Sequence, residues 1–430
     1  MNKKELIKQL IRDFHTAPLR SLKPRTLKLP LHLEKVIVVT GMRRAGKTSL
    51  LLQAIGELRQ TLPKEKILYL NFEDERLSLE AGDLDLVLQS YRELYPELNL
   101  SECYFFFDEI QEIDGWEKFV RRMDESVSRH LFVTGSNARL LGSEIATALR
   151  GRSLRYEVFP LSFGEYLEFT GAGGDPFGSA GRARILRAFD RYLREGGFPE
   201  LVFIEEGDIR RKVLQEYFDV MIFKDLIERY QEGNVAALKY FLKRLIEGIG
   251  SPLSVAKIHN EMKSAGFRIG KNTLHDYLEM AEAVYFGLIA TRYDPSIVRR
   301  ELAEKKGYLI DNGFLTALSY RYSDDRGKLL ENLVAIELRR RGQTLLFAKG
   351  QKECDFVAEE NGALLPIQVS VDLSHPPTKE REVAGLLAAA SFVGAKRGII
   401  VTFEHEEQLS QSGVIIDMVP CWKFLMEPLA

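Results

Sequence analysis

The 430-residue sequence has few cysteines, no long apolar run and almost no net charge. Its three cysteines, Cys103, Cys354 and Cys421, are scattered without the spacing of a disulfide framework or a zinc site. That usage suits a reducing compartment, so we expect a cytoplasmic protein. No apolar run approaches the ~20 residues of a membrane span, and no membrane partner is expected. The first residues carry lysines without an apolar segment, which argues against a secretory signal.

The formal net charge of −2 excludes a surface that is basic throughout, so any nucleic-acid site must be a local patch. Residues 1–35 form such a basic segment, in which apolar residues such as Ile7 and Ile11 recur at helical spacing. This segment is either an amphipathic packing helix with solvated lysines or an arm that contacts nucleic acid or another subunit. A chain of this length and 45% apolar content predicts two or three globular domains.

The most informative feature is the run from Gly41 to Thr48, which spells G-x-x-x-x-G-K-T. It follows an apolar run typical of a buried strand and precedes a helical pattern, the context that a phosphate-binding loop requires. The glycines let several backbone N–H groups point at one anion, and the helix adds the positive end of its dipole. Lys47 is expected to reach the β- and γ-phosphates, and Thr48 to hold Mg²⁺. The predicted ligands are ATP or ADP with Mg²⁺, bound by Gly41, Arg43, Arg44, Ala45, Gly46, Lys47, Thr48 and Ser49.

A second strand carries acidic residues at its end. Residues 103–107 form a continuous apolar run, as expected of a strand buried on both faces, and Asp108 and Glu109 follow it. Asp108 is predicted to share the Mg²⁺ with Thr48. Glu109 is predicted to polarise a water against the γ-phosphate, which would make the site hydrolytic.

A third apolar run, residues 131–134, is followed by Gly135, Ser136 and Asn137. Asn137 at this strand end is predicted to sense the γ-phosphate or to orient the attacking water. Alternatively, Ser136 or Asn137 caps a short helix predicted over residues 138–141. The two roles are compatible.

Several motifs together resemble those of AAA+-type archaeal and bacterial ATPases that carry a restriction-endonuclease-like C-terminal domain. They are the G-x-x-x-x-G-K-T run, residues 108–112 (DEIQE), 133–141 (VTGSNARLL), 149–153 (LRGRS), 158–167 (VFPLSFGEYL) and 196–200 (GGFPE). ATPases of this kind usually need an arginine from a neighbouring subunit. The resemblance therefore implies a homo-oligomer, such as a hexameric ring, with Arg150 and Arg152 as first finger candidates and Arg139 third.

The predicted fold class is α/β with four successive regions after the basic segment. Residues 36–170 are a P-loop AAA+-type ATPase domain, 171–250 a helical lid or linker, 251–325 a winged helix and 326–430 the restriction-endonuclease-like domain. In a winged helix the start of the second helix meets the DNA major groove. Lys271, Asn272 and Thr273 stand at that position and are the candidate DNA-binding residues. Alternatively, residues 251–325 form a module that packs within the chain or contacts another protein and does not bind DNA.

The last region has the α-β-β-β-α-β order of the restriction-endonuclease fold. Active members need Glu, Asp and Glu-x-Lys around a metal, and Glu331 and Asp355 match this pattern. Gln368 replaces the second acid and Ser370 replaces the lysine. Since metal-assisted hydrolysis needs both the charge and an oriented water, we predict a degenerate nuclease site that does not cut DNA.

The leading functional hypothesis is therefore an ATP-hydrolysing AAA+-type protein that binds or acts on DNA, with the nuclease-like domain as a binding or assembly platform. One alternative is a nucleotide-switched regulatory ATPase without DNA work. A less favoured alternative is an ATP-regulated nuclease. Stimulation of the ATPase rate by DNA distinguishes the first two hypotheses.

Overall fold

A computed structural model of the chain describes residues 2–137, 149, 151–319, 325–350 and 352–427. These residues form two compact units, 1–158 and 159–430. The first unit includes the basic N-terminal segment, and it ends before residue 170, where the sequence predicts the end of the ATPase domain. Among the described helices we find no stretch with the length and apolarity needed to cross a bilayer.

The first unit is built on a five-stranded parallel sheet with the order β2-β3-β4-β1-β5. Its strands are β1 Val36–Thr40, β2 Ile67–Asn71, β3 Tyr104–Asp108, β4 Leu131–Gly135 and β5 Ser153–Glu157. In a parallel sheet the carboxyl ends of the strands meet at one edge, where ligands of open α/β sheets bind. Because β4 lies between β1 and β3, the loops after these three strands are neighbours.

Helices cover both faces of this sheet. They are α1 Lys3–Thr16, α2 Lys47–Leu58, α3 Leu84–Leu94 and α4 Trp116–Ser126. Successive side chains of a strand point to opposite faces of the sheet. Phe105 and Phe107 pack in the same core as α3 and α4, whereas Phe106 packs in the core that contains α2. This two-sided burial explains why strand β3 is an uninterrupted apolar run.

The basic N-terminal segment begins with α1, which packs through Ile7 and Ile11 into the core shared with α3. Lys3 forms an ion pair with Asp83 at 2.7 Å, and Lys8 pairs with Glu93 at 2.8 Å. These contacts are those of a packing helix whose lysines are matched to acidic residues around α3. The structure therefore supports the packing alternative for this helix.

The second unit contains an eight-stranded mixed sheet with the order β12-β13-β11-β10-β9-β8-β6-β7. Its strands are β6 Gly287–Arg292, β7 Lys305–Leu309, β8 Leu346–Lys349, β9 Glu353–Glu360, β10 Ala363–Ser370, β11 Arg397–Thr402, β12 Glu407–Gln411 and β13 Val414–Pro420. Its α-helices are α5 Phe163–Thr170, α6 Ser179–Glu195, α7 Gly207–Val220, α8 Val235–Glu247, α9 Val255–Ser264, α10 Lys271–Ala283, α11 Ile297–Glu301, α12 Asn312–Leu318, α13 Arg326–Arg340, α14 Pro376–Val393 and α15 Cys421–Met426. A π-helical segment, Met221–Glu228, continues α7.

The elements predicted for a winged helix occur in the expected order, with α9 and α10 followed by the antiparallel hairpin of β6 and β7. However, β6 also pairs in parallel with β8. The hairpin therefore belongs to the same sheet as the strands of the predicted nuclease-like region, and this sheet continues across the predicted boundary between residues 325 and 326. The sequence could not show this because the pairing joins strands that are distant along the chain.

The GGFPE motif has a packing role in the second unit. The Gly197 N–H donates to Asp311 Oδ2 at 2.7 Å, and the Gly313 N–H donates to Asp311 Oδ1 at 2.8 Å. A Cβ atom at Gly196 would lie 1.8 Å from Asp311 Oδ1, so only glycine fits there. Burial raises the pKa of the Asp311 carboxyl to about 7. The motif thus fixes the end of α6 on the start of α12.

Candidate nucleotide-binding site

The loop between β1 and α2 has the backbone geometry of a phosphate cradle. Gly46, directly before α2, has φ +104°, in the region that favours glycine. Gly41 has φ +153°, and a Cβ atom there would lie 2.2 Å from the Val158 carbonyl oxygen. The backbone of the loop therefore requires glycine at both positions.

Lys47 begins α2 and is only 4% exposed. Its Nζ donates a hydrogen bond to the Gly41 carbonyl oxygen at 3.0 Å. The same Nζ lies 3.1 Å from Glu109 Oε1. The lysine of the loop and the proposed base at the end of β3 therefore share one site, although they are 62 positions apart in the sequence.

Asp108 is fully buried at the end of β3. Its carboxylate accepts hydrogen bonds from Thr134 Oγ1 at 2.5 Å and from Tyr69 Oη at 2.9 Å. Burial, and then repulsion from Glu109, raise the pKa of Asp108, while hydrogen bonds from Thr134, Thr48 and Tyr69 act against that rise. Thr48 and Asp108 are therefore in contact, and their oxygens suit Mg²⁺, which prefers oxygen ligands. The predicted magnesium pair is brought together.

Glu109 is held in an uncommon backbone conformation with φ +50°. Its N–H donates to Thr134 Oγ1 at 2.8 Å, and its Oε2 accepts from Gln111 Nε2 at 2.6 Å. Burial raises the pKa of this carboxyl, but Lys47, Gln111 and Arg43 outweigh burial and leave the pKa below its usual value. The carboxylate thus stays ionised at neutral pH and is fixed toward the P-loop.

Three side chains of this site were missed by the sequence analysis: Thr134, Tyr69 and Gln111. Thr134 is the most informative, because its hydroxyl donates to Asp108 and accepts from the Glu109 N–H. Thr134 directly precedes Gly135, Ser136 and Asn137 at the end of the predicted strand, and this position could have marked it as a site residue. Tyr69 lies on β2, and no motif marks it.

The remaining predicted nucleotide-binding residues lie in the same loop or at the start of α2. Arg43 forms ion pairs with Glu73 and, at 3.9 Å, with Glu112, which ties together the loops after β2 and β3. Arg44 is exposed, with φ +67°. Ser49 is half-buried in the first turn of α2. The Ala45 carbonyl accepts a hydrogen bond from Arg25 Nη1 at 2.9 Å, so the N-terminal segment also contacts the loop.

The predicted sensor and finger residues lie in different places. Asn137 is fully buried two residues after β4, at the carboxyl edge of the sheet. Arg152 directly precedes β5, and its carbonyl accepts from the Val36 N–H, which places it at the opposite edge. A five-residue strand spans roughly 13 Å, so Arg152 is distant from the P-loop of its own chain. Arg150 and the third candidate, Arg139, lie outside the described residues.

The candidate DNA and nuclease residues lie in the second unit. Lys271 and Asn272 are exposed and Thr273 is half-buried at the start of α10. Glu331 is on α13, Asp355 on β9, and Gln368 and Ser370 are on β10. Asp355 and Gln368 contact each other, since Gln368 Oε1 accepts from the Asp355 N–H at 3.3 Å. Glu331 and Asp355 both lie within 4.0 Å of the Lys306 ammonium nitrogen, at 3.8 Å and 3.9 Å.

Comparison with known proteins agrees with the first site. Residues 33–167 match the AAA domain family, and residues 186–325 match a domain of unknown function, DUF8612. An uncharacterized protein of Methanocaldococcus jannaschii is 33% identical over 99% of this chain and 96% of its own length. The chain belongs to the family of that archaeal protein. An uncharacterized protein of Haemophilus influenzae, 30% identical over 90% of this chain and 93% of its own, is a further relative of this AAA-domain protein.

Solved structures resemble the AAA-domain protein only weakly. The ORC1 protein of Aeropyrum pernix, solved in complex with DNA, aligns with a TM-score of 0.30 and 15% identity over 76% of this chain and 94% of that chain. A TM-score of this size does not define a shared fold.

We expect Thr134→Val to lower ATP turnover about 10- to 100-fold, because it removes two hydrogen bonds, one of them to a carboxylate. Nucleotide affinity should change little, since neither bond belongs to the P-loop. Thr134→Ser keeps the hydroxyl and is the matched control, expected to retain most activity. Steady-state ATPase assays and binding of a fluorescent ATP analogue measure the two effects. Full turnover in Thr134→Val would show that this hydroxyl does not position the acids.

Proposed function

We propose that this protein hydrolyses ATP at the site formed by the P-loop and the end of β3. The observation that carries the proposal is the 3.1 Å distance between Lys47 Nζ and Glu109 Oε1. This distance supports a site in which Lys47 would bind the phosphates and the ionised Glu109 carboxylate would act on the water. Lys47 and the loop N–H groups bind the phosphates, and Thr48 and Asp108 would hold Mg²⁺. Bound Mg²⁺ would neutralise charge on the phosphates.

In this mechanism Glu109 accepts the proton of the attacking water as the water approaches the γ-phosphate. Its carboxylate is oriented by Gln111 Nε2 and by the Thr134 hydroxyl that fixes its backbone N–H. Such fixed geometry lowers the barrier because the reacting groups do not have to be ordered during the reaction. The products are ADP and phosphate.

We further propose that the ATPase acts on or binds DNA through the start of α10. Two observations support this. The side chains of Lys271 and Asn272 are exposed there, and the Gly270 N-cap gives the described helix N-terminus no side-chain hydrogen bond. A helix N-terminus and a lysine both favour phosphate. In this proposal the nuclease-like strands serve as a binding or assembly platform.

The test is the ATPase rate measured with single-stranded, duplex and branched DNA, with particle size recorded in parallel. We expect at least one of these DNAs to stimulate the ATPase rate, and we expect this stimulation to fall steeply as the salt concentration rises. Lys271→Glu should reduce the stimulation, whereas Lys212→Glu, an exposed lysine on α7, is the matched control. A rate that no DNA changes, with assembly that depends on ATP, would favour the nucleotide-switched regulator.

A trans-acting arginine gives a further prediction. We expect Arg152→Ala to bind ATP normally but to hydrolyse it at least ~100-fold more slowly, as when an arginine finger is lost. Its 3.3 Å ion pair with Glu125 lies at the surface, so losing that pair should cost little stability. The 3.6 Å pair involves the buried Asp124 carboxylate, and its loss should lower the thermal unfolding temperature. Mixing this variant with Lys47→Ala should partly restore turnover in a homo-oligomer. Arg129→Ala is the control, and a fully active monomer would contradict the proposal.

A further inference from the structure

A buried lysine lies among the acidic residues of the nuclease-like site. Lys306, on β7, is 1% exposed. Its Nζ lies 2.5 Å from Glu353 Oε1, 3.8 Å from Glu331 Oε1 and 3.9 Å from Asp355 Oδ1. The sequence analysis did not identify Lys306, because it comes from the hairpin before α13 and not from the strands that carry the nuclease pattern.

The carboxylates around this ammonium group are held by further bonds. Glu331 Oε1 accepts from the Tyr308 hydroxyl at 2.9 Å, and Glu331 Oε2 accepts from Lys328 Nζ at 3.3 Å. Asp355 Oδ2 accepts from the Val369 N–H at 2.9 Å. Burial alone would lower the pKa of Lys306, but Glu331, Asp355 and Glu353 raise it overall, so the amine is charged.

The side chains that replace the missing nuclease residues are also occupied. Gln368 Nε2 donates to Glu382 Oε2 at 2.8 Å, while its Oε1 accepts from the Asp355 N–H. Ser370 Oγ bonds to the Asp372 carbonyl at 3.4 Å. Within the part of the chain that the structure describes, no group of three or more His, Cys, Asp or Glu side chains is arranged to hold a metal ion. The residues therefore do not fit the metal that the fold resemblance implies.

Lys306 does not replace the missing catalytic lysine either. A lysine that assists phosphodiester hydrolysis must reach the attacked phosphate or its water. Lys306 is almost wholly enclosed, and its charge is surrounded by three carboxylates and the ring of Phe347, whose centroid is 5.1 Å from Nζ. Its position is that of a counter-ion.

We propose that the ammonium group of Lys306 is a built-in cation that stands in the place of the divalent metal ion in this nuclease-like site. The buried carboxylates of Glu331 and Asp355 then need no metal to be neutralised. The second unit consequently folds without metal and does not hydrolyse nucleic acid. This inference does not depend on the proposed ATPase activity.

Mn²⁺ binding to the full-length protein without nucleotide tests the proposal. Mn²⁺ suits carboxylate ligands, and the loss of the free-ion electron paramagnetic resonance signal reports its binding. We expect wild type and Asp355→Asn to bind equally, because Asp355 already faces an ammonium group. Lys306→Met should gain about one Mn²⁺ site per chain, and Lys306→Met/Asp355→Asn should lose it. Lys305→Met, on the same strand, is the matched control and should gain none.

Two results would overturn the proposal. One is a Mn²⁺ ion, or metal-dependent DNA nicking, that wild type shows and Asp355→Asn loses. The other is a folded Lys306→Met that gains no Mn²⁺ site. If Lys306→Met does not fold, the proposal is tested by comparing its refolding yield with and without Mn²⁺. A yield that Mn²⁺ raises only while Asp355 is intact supports the built-in cation, whereas an unchanged yield contradicts it.

Discussion

Glu109→Gln is expected to bind ATP but to hydrolyse it at least ~100-fold more slowly than wild type, as for the loss of a general base. The substituted amide keeps the size of the side chain and its contact with Gln111, but it cannot take a proton from water. Nucleotide affinity should be retained, since Gly41, Gly46 and Lys47 are unchanged. Single-turnover ATPase assays with a separate binding measurement separate these effects.

The matched control is Asp114→Asn, which removes an exposed acid close to Glu109 in the sequence but outside the described contacts of the site. It should leave turnover unchanged. Wild-type turnover in Glu109→Gln would show that another residue orients the water, and the assignment of Glu109 as the base would then be wrong.

Lys47→Ala is expected to abolish turnover and to weaken ATP binding at least ~100-fold, because the phosphates lose a charged hydrogen-bond donor that is buried in the cradle. The substitution also leaves the Glu109 carboxylate without its cation. For this reason the double variant Lys47→Ala/Glu109→Gln, which removes both charges, should be more stable than Lys47→Ala. Binding of a fluorescent ATP analogue and thermal unfolding measure the two predictions.

Lys66→Ala is the control for Lys47→Ala. Lys66 makes a surface ion pair with Glu102 at 2.5 Å, and its loss should alter neither binding nor turnover. ATP affinity that remains at the wild-type level in a folded Lys47→Ala protein would refute the role of the P-loop in nucleotide binding.

Part of the site was predictable because the signals are local. The spacing of Gly41, Gly46 and Lys47 specifies a loop between a strand and a helix, and the structure has that loop with α2 beginning at Lys47. The apolar run before Asp108 specifies a strand buried on both faces, which β3 is. The Asn-Gly pair at 361–362 is a local signal of the same kind, since this dipeptide favours a tight turn between strands, and both residues have positive φ.

The contacts that complete the sites depend on strand order, which no local pattern specifies. Placing β4 between β1 and β3 brings the Thr134 hydroxyl between Asp108 and the Glu109 N–H. Pairing β6 with β8 joins the β6–β7 hairpin to the strands that carry Asp355 and Gln368, and the Lys306 ammonium group lies among the carboxylates there. The sequence by itself determined which residues carry the chemistry of the P-loop, since backbone conformation and burial are local preferences. Only the tertiary structure decided which distant side chains neutralise and orient them, because electrostatic and hydrogen-bond contacts depend on distance in space rather than along the chain.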